Sequence, residues 1–175
     1  MLELTGFQFC PRCGQKSLTD HGPKAMACLA CGMVYYHNAA SAVAGIIQTP
    51  VGIVLVRRQL PPHAGSLDLP GGFLEYEESY EEALTREVYE ELNIDITNLS
   101  YFCSFPNQYH YRDVSYFTAD VVFLCDAPRF DAVGSPDEIS EILVQPVDRI
   151  QVEEIAFSSM RKAISLYQKV KGVGR

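Results

Sequence analysis

Apolar positions along this chain change their period several times, and each change marks a structural element. Over residues 1–38 the apolar residues are too few and too scattered for an independent core, so that stretch needs a covalent or metal staple. From Ser41 the texture becomes β-rich. Residues 42–48 and 52–57 are runs of strand-forming residues separated by Thr49-Pro50-Val51, which predicts a hairpin. A loop follows that carries Pro61, Pro62, Gly65, Pro70, Gly71 and Gly72. The period then shifts to 3.6 over residues 79–92, where Leu84, Val88 and Leu92 fall at i, i+4 and i+8 and define the buried stripe of a helix. Further strands are predicted over 99–105, 115–125 and 141–146. A last helix is predicted over 157–171, with Met160, Ile164 and Tyr167 on one face. Strands and helices mostly do not alternate, which argues against a doubly wound parallel sheet. The pattern predicts an α/β fold in which a curved, mixed sheet packs against two helices.

Composition narrows the setting. The 175 residues suit one catalytic-sized domain with a short appendage, and the break in texture puts the boundary between 1–38 and 39–175. With 47% hydrophobic residues the chain belongs with globular proteins and away from disordered ones. A formal net charge of −8 argues against stable, sequence-independent binding to a nucleic-acid backbone, which requires clustered Lys and Arg. The opening residues show no basic segment followed by an apolar one, and no run reaches the ~20 apolar residues of a membrane helix. A cytoplasmic protein without membrane association is expected.

The acidic residues are unevenly placed. Glu75, Glu77, Glu78, Glu81, Glu82, Glu87, Glu90 and Glu91 put eight of the 22 acids within 17 residues, with Arg86 the only base among them. On a helix turning 100° per residue, Glu87 and Glu91 lie about 40° apart and Glu90 about 60° to the other side of Glu87. Like charges at this spacing oppose one another, and they crowd toward the negative end of the helix. Read alone, the cluster is either a solvated acidic face or a set of oxygen ligands for a hard divalent cation.

The wider spacing favours the second reading. Gly72, Glu78, Arg86, Glu87, Val88, Glu90, Glu91 and Ile94 resemble the Nudix box, Gly-x5-Glu-x7-Arg-Glu-U-x-Glu-Glu-x-Gly-U, in which U is aliphatic. Asn93 stands where that family has Gly, at a helix end that calls for a left-handed residue, and Asn is the side chain that best tolerates it. The resemblance implies the Nudix fold, with a mixed, curved sheet packed against helices in an α-β-α arrangement. It also implies hydrolysis of a diphosphate bond with Mg²⁺ or Mn²⁺. Glu87, Glu90 and Glu91 would ligate metal, Glu78 would support the site, Arg86 would orient the carboxylates, and Gly72 would allow the tight turn before the helix. The general base is drawn from Glu90 or from Glu141, in the stretch Asp137-Glu138-Ile139-Ser140-Glu141.

Cys10-Pro11-Arg12-Cys13-Gly14 and Cys28-Leu29-Ala30-Cys31-Gly32 are two C-x2-C-G turns separated by 14 residues. Four thiolates suit tetrahedral Zn²⁺ and leave no position for water, so this zinc is expected to be structural. Cys103 and Cys125 sit alone in apolar segments and read as core residues, and the four histidines form no constellation.

A four-cysteine ribbon followed by a Nudix domain is similar to the subgroup that contains bacterial NADH diphosphatases and plant FAD and ADP-ribose diphosphatases. The NADH-specific members carry Ser-Gln-Pro-Trp-Pro-Phe-Pro-x-Ser after the box. Here the corresponding stretch is Cys103-Ser104-Phe105-Pro106-Asn107-Gln108-Tyr109, and the chain has no Trp. The substrate expected from this resemblance is a nucleoside diphosphate joined to a second group, with ADP-ribose and FAD ahead of NADH and of nucleoside triphosphates. Tyr35, Tyr36, Tyr109, Tyr111 and Phe157 are candidates to stack on a base, and Arg57 and Arg58 to meet phosphate. A homodimer is compatible with this reading. The rival class is a non-catalytic nucleotide sensor that docks another macromolecule through the ribbon.

Overall fold

The computed structural model describes residues 7–111 and 114–173, without the side chains of Tyr111 and Val114. Tyr111, a candidate stacking aromatic, therefore lies outside the described side chains. The chain forms two compact units, Met1–Ala39 and Ala40–Arg175.

Within the first unit, β1 (Leu18–Asp20), β2 (Ala25–Cys28) and β3 (Val34–Tyr36) form a small antiparallel sheet in that order. Its two cysteine turns are built alike. The amides of Gly14 and Gly32 donate to the carbonyls of Cys10 and Cys28, each at 2.9 Å, and both glycines sit at φ 70°, where a side chain would be strained.

The second unit is a sandwich around a mixed sheet. In chain order its elements are β4 (Ala40–Thr49), β5 (Gly52–Arg58), β6 (Leu67–Asp68), β7 (Gly71–Phe73), α1 (Tyr80–Leu92), β8 (Thr97–Tyr111), β9 (Val114–Asp126), β10 (Ile139–Gln145) and α2 (Ser158–Val170). Short 3₁₀ turns at Val147–Arg149 and Val152–Glu154 precede α2. The strand order is β10-β5-β4-β9-β8, and β4 runs parallel to β9 while the other main pairs are antiparallel.

β4 and β5 are covered on both faces, which is why they read as nearly unbroken apolar runs. Ala44, Ile46, Ile53 and Leu55 join Met160, Ala163, Ile164 and Tyr167 of α2 in one core cluster. Val43, Ile47, Val54 and Val56 join Ala83, Leu84, Val88 and Leu92 of α1 in the other. The expected apolar stripes of both helices are thus buried, on opposite sides of the sheet.

The hairpin of β4 and β5 positions everything that follows. Its strands pair only near the turn, at Gln48 with Ile53 and Thr49 with Gly52, and then diverge. Residues 67–73 occupy the opening. Asp68 and Leu67 pair with Val56 and Arg57, and Gly71, Gly72 and Phe73 pair with Ala44, Val43 and Ala42. A segment that reads as a loop from its Pro and Gly content is therefore held on both sides by the central strands. Gly71 takes φ 142°, and a Cβ there would lie 2.2 Å from the Val43 carbonyl oxygen, so only glycine fits.

The strands differ from the sequence reading in extent, most of all β8 and β10. β8 and β9 form one long hairpin, continuing past the expected end at 105 through Pro106, Asn107 and Gln108. Pro106 is tolerated because β8 is the edge strand, where a missing amide need not break a ladder bond on the open side. β10 begins at Ile139, two residues before the expected start.

Candidate active site

α1 begins with a capping box. Ser79 accepts from the Glu82 amide at 3.2 Å, and the Glu82 carboxylate accepts from the Ser79 amide at 2.9 Å. The helix ends at Asn93, which takes the left-handed φ 53°, ψ 39° and donates its amide to the Tyr89 carbonyl at 2.8 Å. Fixed at both ends, α1 lays Leu84, Val88 and Leu92 against the sheet and turns Glu87 and Glu91 toward the glycines of β7.

Arg86 is the hub of the carboxylates. Its Nε and Nη2 donate to the two oxygens of Glu78 at 2.7 and 3.0 Å, its Nη1 to Glu87 and Glu90 at 3.0 Å each, and Nη2 also to the Phe73 carbonyl at 3.0 Å. One guanidinium thus ties the helix to the end of β7. The Arg86 hydrogen bonds hold the Glu78 carboxyl below the usual range. Burial outweighs such help deeper in. It raises the Glu87 carboxyl above its ordinary value despite Arg86, and pushes Glu91 up to about 8 despite a 3.0 Å hydrogen bond from the Gly71 amide. The charges of Glu138 and of neighbouring acids add to both shifts. Gly72 completes the packing, since a Cβ there would come within 2.4 Å of the Glu87 carboxylate.

These groups face a cavity of about 480 Å³, within the range of small-ligand sites. Glu87, Glu91, Arg86, Gly71 and Gly72 line it. So do the rings of Phe73, Tyr109 and Phe157. Tyr109 stacks on Phe157 with centroids 5.6 Å apart, and Phe73 meets Tyr109 edge-on at 5.6 Å. Arg58 lies over the Phe157 ring at 5.0 Å and pairs with the buried Asp68 at 3.2 Å. Burial raises the Asp68 carboxyl to about 6, against the opposing pull of Arg58.

The structure separates the sequence candidates. Glu78, Arg86, Glu87 and Glu90 meet through Arg86, Glu91 meets Gly71, and Gly72, Tyr109, Glu87, Glu91 and Arg86 line one cavity. Glu90 does not line the cavity; its side chain is 60% exposed and reaches the site only through its 3.0 Å pair with Arg86. Arg57 and Glu141 do not line the cavity. They are register partners on β5 and β10 and pair with each other at 2.7 Å on an exposed face. Strand alternation explains the difference, because Val56 and Arg58 point into the cavity and Arg57 between them points away. Glu138, just before β10, lines the cavity in place of Glu141. Asp68, Asp120, Thr118 and Phe73 were not singled out from sequence. The period-2 pattern through Thr118, Asp120 and Val122 was a usable signal for the first two.

The N-terminal unit carries the other candidate site. The Sγ atoms of Cys10, Cys13, Cys28 and Cys31 all lie within 4.8 Å of one another, with Cys10 to Cys31 and Cys13 to Cys28 at 3.7 Å. Thiolates held ~2.3 Å from a tetrahedral Zn²⁺ stand about 3.8 Å apart, so the four positions fit that ion. Ser17 Oγ lies 3.0 Å from Cys28 Sγ and pulls that thiol down, while the Cys13 thiol, despite its backbone hydrogen bond, is pushed up by desolvation and the neighbouring thiols. Cys103 and Cys125 are buried in the sheet cores, where burial pushes their thiols up to about 11 and about 12.

Known proteins resemble this chain in sequence and in fold. The chain is 31% identical over 176 residues to the NAD-capped RNA hydrolase NudC of Vibrio atlanticus (strain LGP32), covering 94% of this chain and 62% of that protein. It is 32% identical over 119 residues to the protein of the same name from Haemophilus influenzae (strain PittEE), covering 67% and 45%. The chain thus spans less than two thirds of the length of these curated relatives. Among solved structures, a Nudix hydrolase from Nitrosomonas europaea superposes with a TM-score of 0.76 at 22% identity, covering 95% of this chain and 94% of that one. A MutT Nudix hydrolase from Burkholderia pseudomallei gives 0.64 at 23% identity, covering 73% and 97%. The NUDIX domain model matches residues 37–167, and the chain belongs to the Nudix hydrolase family.

Proposed function

We propose that the chain hydrolyses the diphosphate bond of a nucleoside diphosphate joined to a second group, with ADP-ribose or an FAD-like dinucleotide preferred. The observation that carries this reading is the shared cavity, which half-buried Glu87 and Glu91 line together with the rings of Phe73, Tyr109 and Phe157. Two raised carboxylates against one guanidinium form an all-oxygen donor set short of positive charge, which suits a hard divalent cation. Glu87, Glu90 and Glu91 would hold Mg²⁺ or Mn²⁺, which supplies charge neutralisation at the diphosphate and activation of water.

The chain's own groups do the remaining work. Arg86 fixes Glu78, Glu87 and Glu90, and the Gly71 amide fixes Glu91. Tyr109, Phe157 and Phe73 offer faces and edges to a planar base. Arg58, which lines the cavity beside Asp68, would meet phosphate in place of Arg57, which pairs with Glu141 away from the cavity. Water attacks one phosphorus, the other phosphate departs, and a carboxylate takes the proton. Glu138 suits that last task better than Glu141, because it lines the cavity.

NAD-capped RNA is the second reading, since it too holds a nucleoside diphosphate joined to another group and the curated relatives carry that name. The cysteine cluster is proposed as a structural zinc ribbon. A panel of ADP-ribose, FAD, NADH, NAD-capped RNA and nucleoside triphosphates, with Mg²⁺ or Mn²⁺ and product identification, tests the substrate class. A kcat/KM for any triphosphate tenfold above every diphosphate-linked compound, about 1.4 kcal/mol in transition-state binding, would overturn it.

A further inference from the structure

Two buried polar atoms of β9 face this cavity without a partner. Thr118 and Asp120 are 4% and 3% exposed, both line the cavity, and neither Thr118 Oγ1 nor Asp120 Oδ1 has a hydrogen-bond partner. They lie two residues apart on one strand and therefore on one face of the sheet. Buried acceptors of this kind are rare in folded chains and call for an explanation. Only the other Asp120 oxygen has a structural role, accepting from Ser159 Oγ at 2.5 Å in the first turn of α2. That bond fixes the carboxylate and leaves Oδ1 for something else. Asn107, opposite Thr118 on β8, and Tyr109, on the same face two residues on, complete this end of the cavity together with Phe157 and Met160.

We infer that Thr118 and Asp120 form a recognition point for an NH2 donor, amine or carboxamide, carried on the planar ring of the substrate. A carboxylate oxygen only accepts, so Asp120 Oδ1 selects an N–H donor. The Thr118 hydroxyl can donate as well, so it can meet the ring nitrogen or carbonyl beside that amine. A site built to pair such groups rejects an analogue that presents an oxygen instead, because two acceptors then face each other. The rings of Tyr109 and Phe157 hold the plane, and the β9 pair reads its edge. The inference rests on the nucleotide reading of the cavity and narrows it to rings that carry an NH2 donor. Two sources offer that chemistry, the 6-amino group of adenine and the carboxamide of nicotinamide.

The experiment pairs ligands that differ only in this group: ADP-ribose with its hypoxanthine counterpart, and NAD with its nicotinic-acid counterpart. Calorimetric binding without divalent metal and turnover with Mg²⁺ are measured for wild type, Asp120→Asn and Thr118→Val. Wild type should bind the NH2-bearing member of one pair at least tenfold more tightly, and the pair that discriminates identifies the ring. Both variants should reduce that ratio to within about threefold, since the asparagine amide can donate where the carboxylate could only accept. A merely structural role for Asp120 would weaken both members alike and keep the ratio. Thr118→Val leaves the Ser159 bond intact, so it decides the matter if Asp120→Asn is poorly folded. No discrimination by wild type in either pair, or an unchanged ratio in Thr118→Val, overturns the inference. Discrimination in binding without any turnover would instead overturn the hydrolytic reading and leave this inference standing.

Discussion

A Cβ on Gly72 would stand 2.4 Å from the carboxylate of Glu87, which ties the end of β7 to the acidic face of α1 without room for a methyl group. Gly72→Ala should therefore displace the Glu87 carboxylate while leaving both core clusters intact. We expect kcat to fall by about 10²-fold or more, with a loss of stability within the ~0.5–3 kcal/mol usual for point substitutions. Steady-state kinetics beside urea denaturation check this. Unchanged kcat in a folded variant would mean that the position of Glu87 is not critical.

The four cysteines predict close to one zinc per chain by elemental analysis. Cys28→Ser should lower stability far more than it lowers the rate of the protein that remains folded, because the cluster lies in a different unit from the cavity. Zinc-free protein with unchanged melting behaviour would contradict this.

Asp68 makes a signed prediction about pH. Its carboxyl is raised from 3.8 to about 6, so across that window the folded chain holds a proton that the unfolded chain has already lost. Stability from this group is therefore present at low pH and declines as pH rises toward 6. In Asp68→Asn that decline should vanish. The stability of the variant relative to wild type should improve between pH 4 and 7, by up to about 3 kcal/mol for a two-unit shift. Urea titrations at several pH values read the difference, and a pH-independent difference would refute it.

Asn93 ends α1 at φ 53°. Asn93→Ala should cost about 1–2 kcal/mol because a Cβ is disfavoured there, whereas Asn93→Gly should be neutral or slightly stabilising. Equal stability of the two variants would show that the helix end adjusts its conformation.

Local pattern made α1 and the β4–β5 hairpin legible, because their apolar periods are long and their ends are marked by Ser79, Asn93 and the Thr49-Pro50-Val51 turn. Pairing across the sheet was not legible. Residues 106–108 look like a turn from their own composition and are drawn into β8 only by their ladder with β9. The clamped loop at 67–73 depends in the same way on contacts with two strands it does not adjoin in sequence. In the site, the carboxylates of the box could be read because they share one helix. The other acids and the cation of the cavity wall, Arg58, Asp68, Asp120 and Glu138, come from four other segments that only the folded sheet brings together.

On the proposed reading, the carboxylates of α1 make this chain a metal-dependent diphosphatase. The most direct test of that reading is ADP-ribose turnover by wild type, Glu90→Gln and Glu91→Gln, with Mg²⁺ or Mn²⁺ and with chelator, following AMP and ribose 5-phosphate. Wild type should release the two monophosphates in equal amounts only when metal is present, and each variant should lose about 10²-fold or more in kcat while remaining folded. Near-normal rates in both variants, or wild-type turnover that survives chelation, would contradict the account.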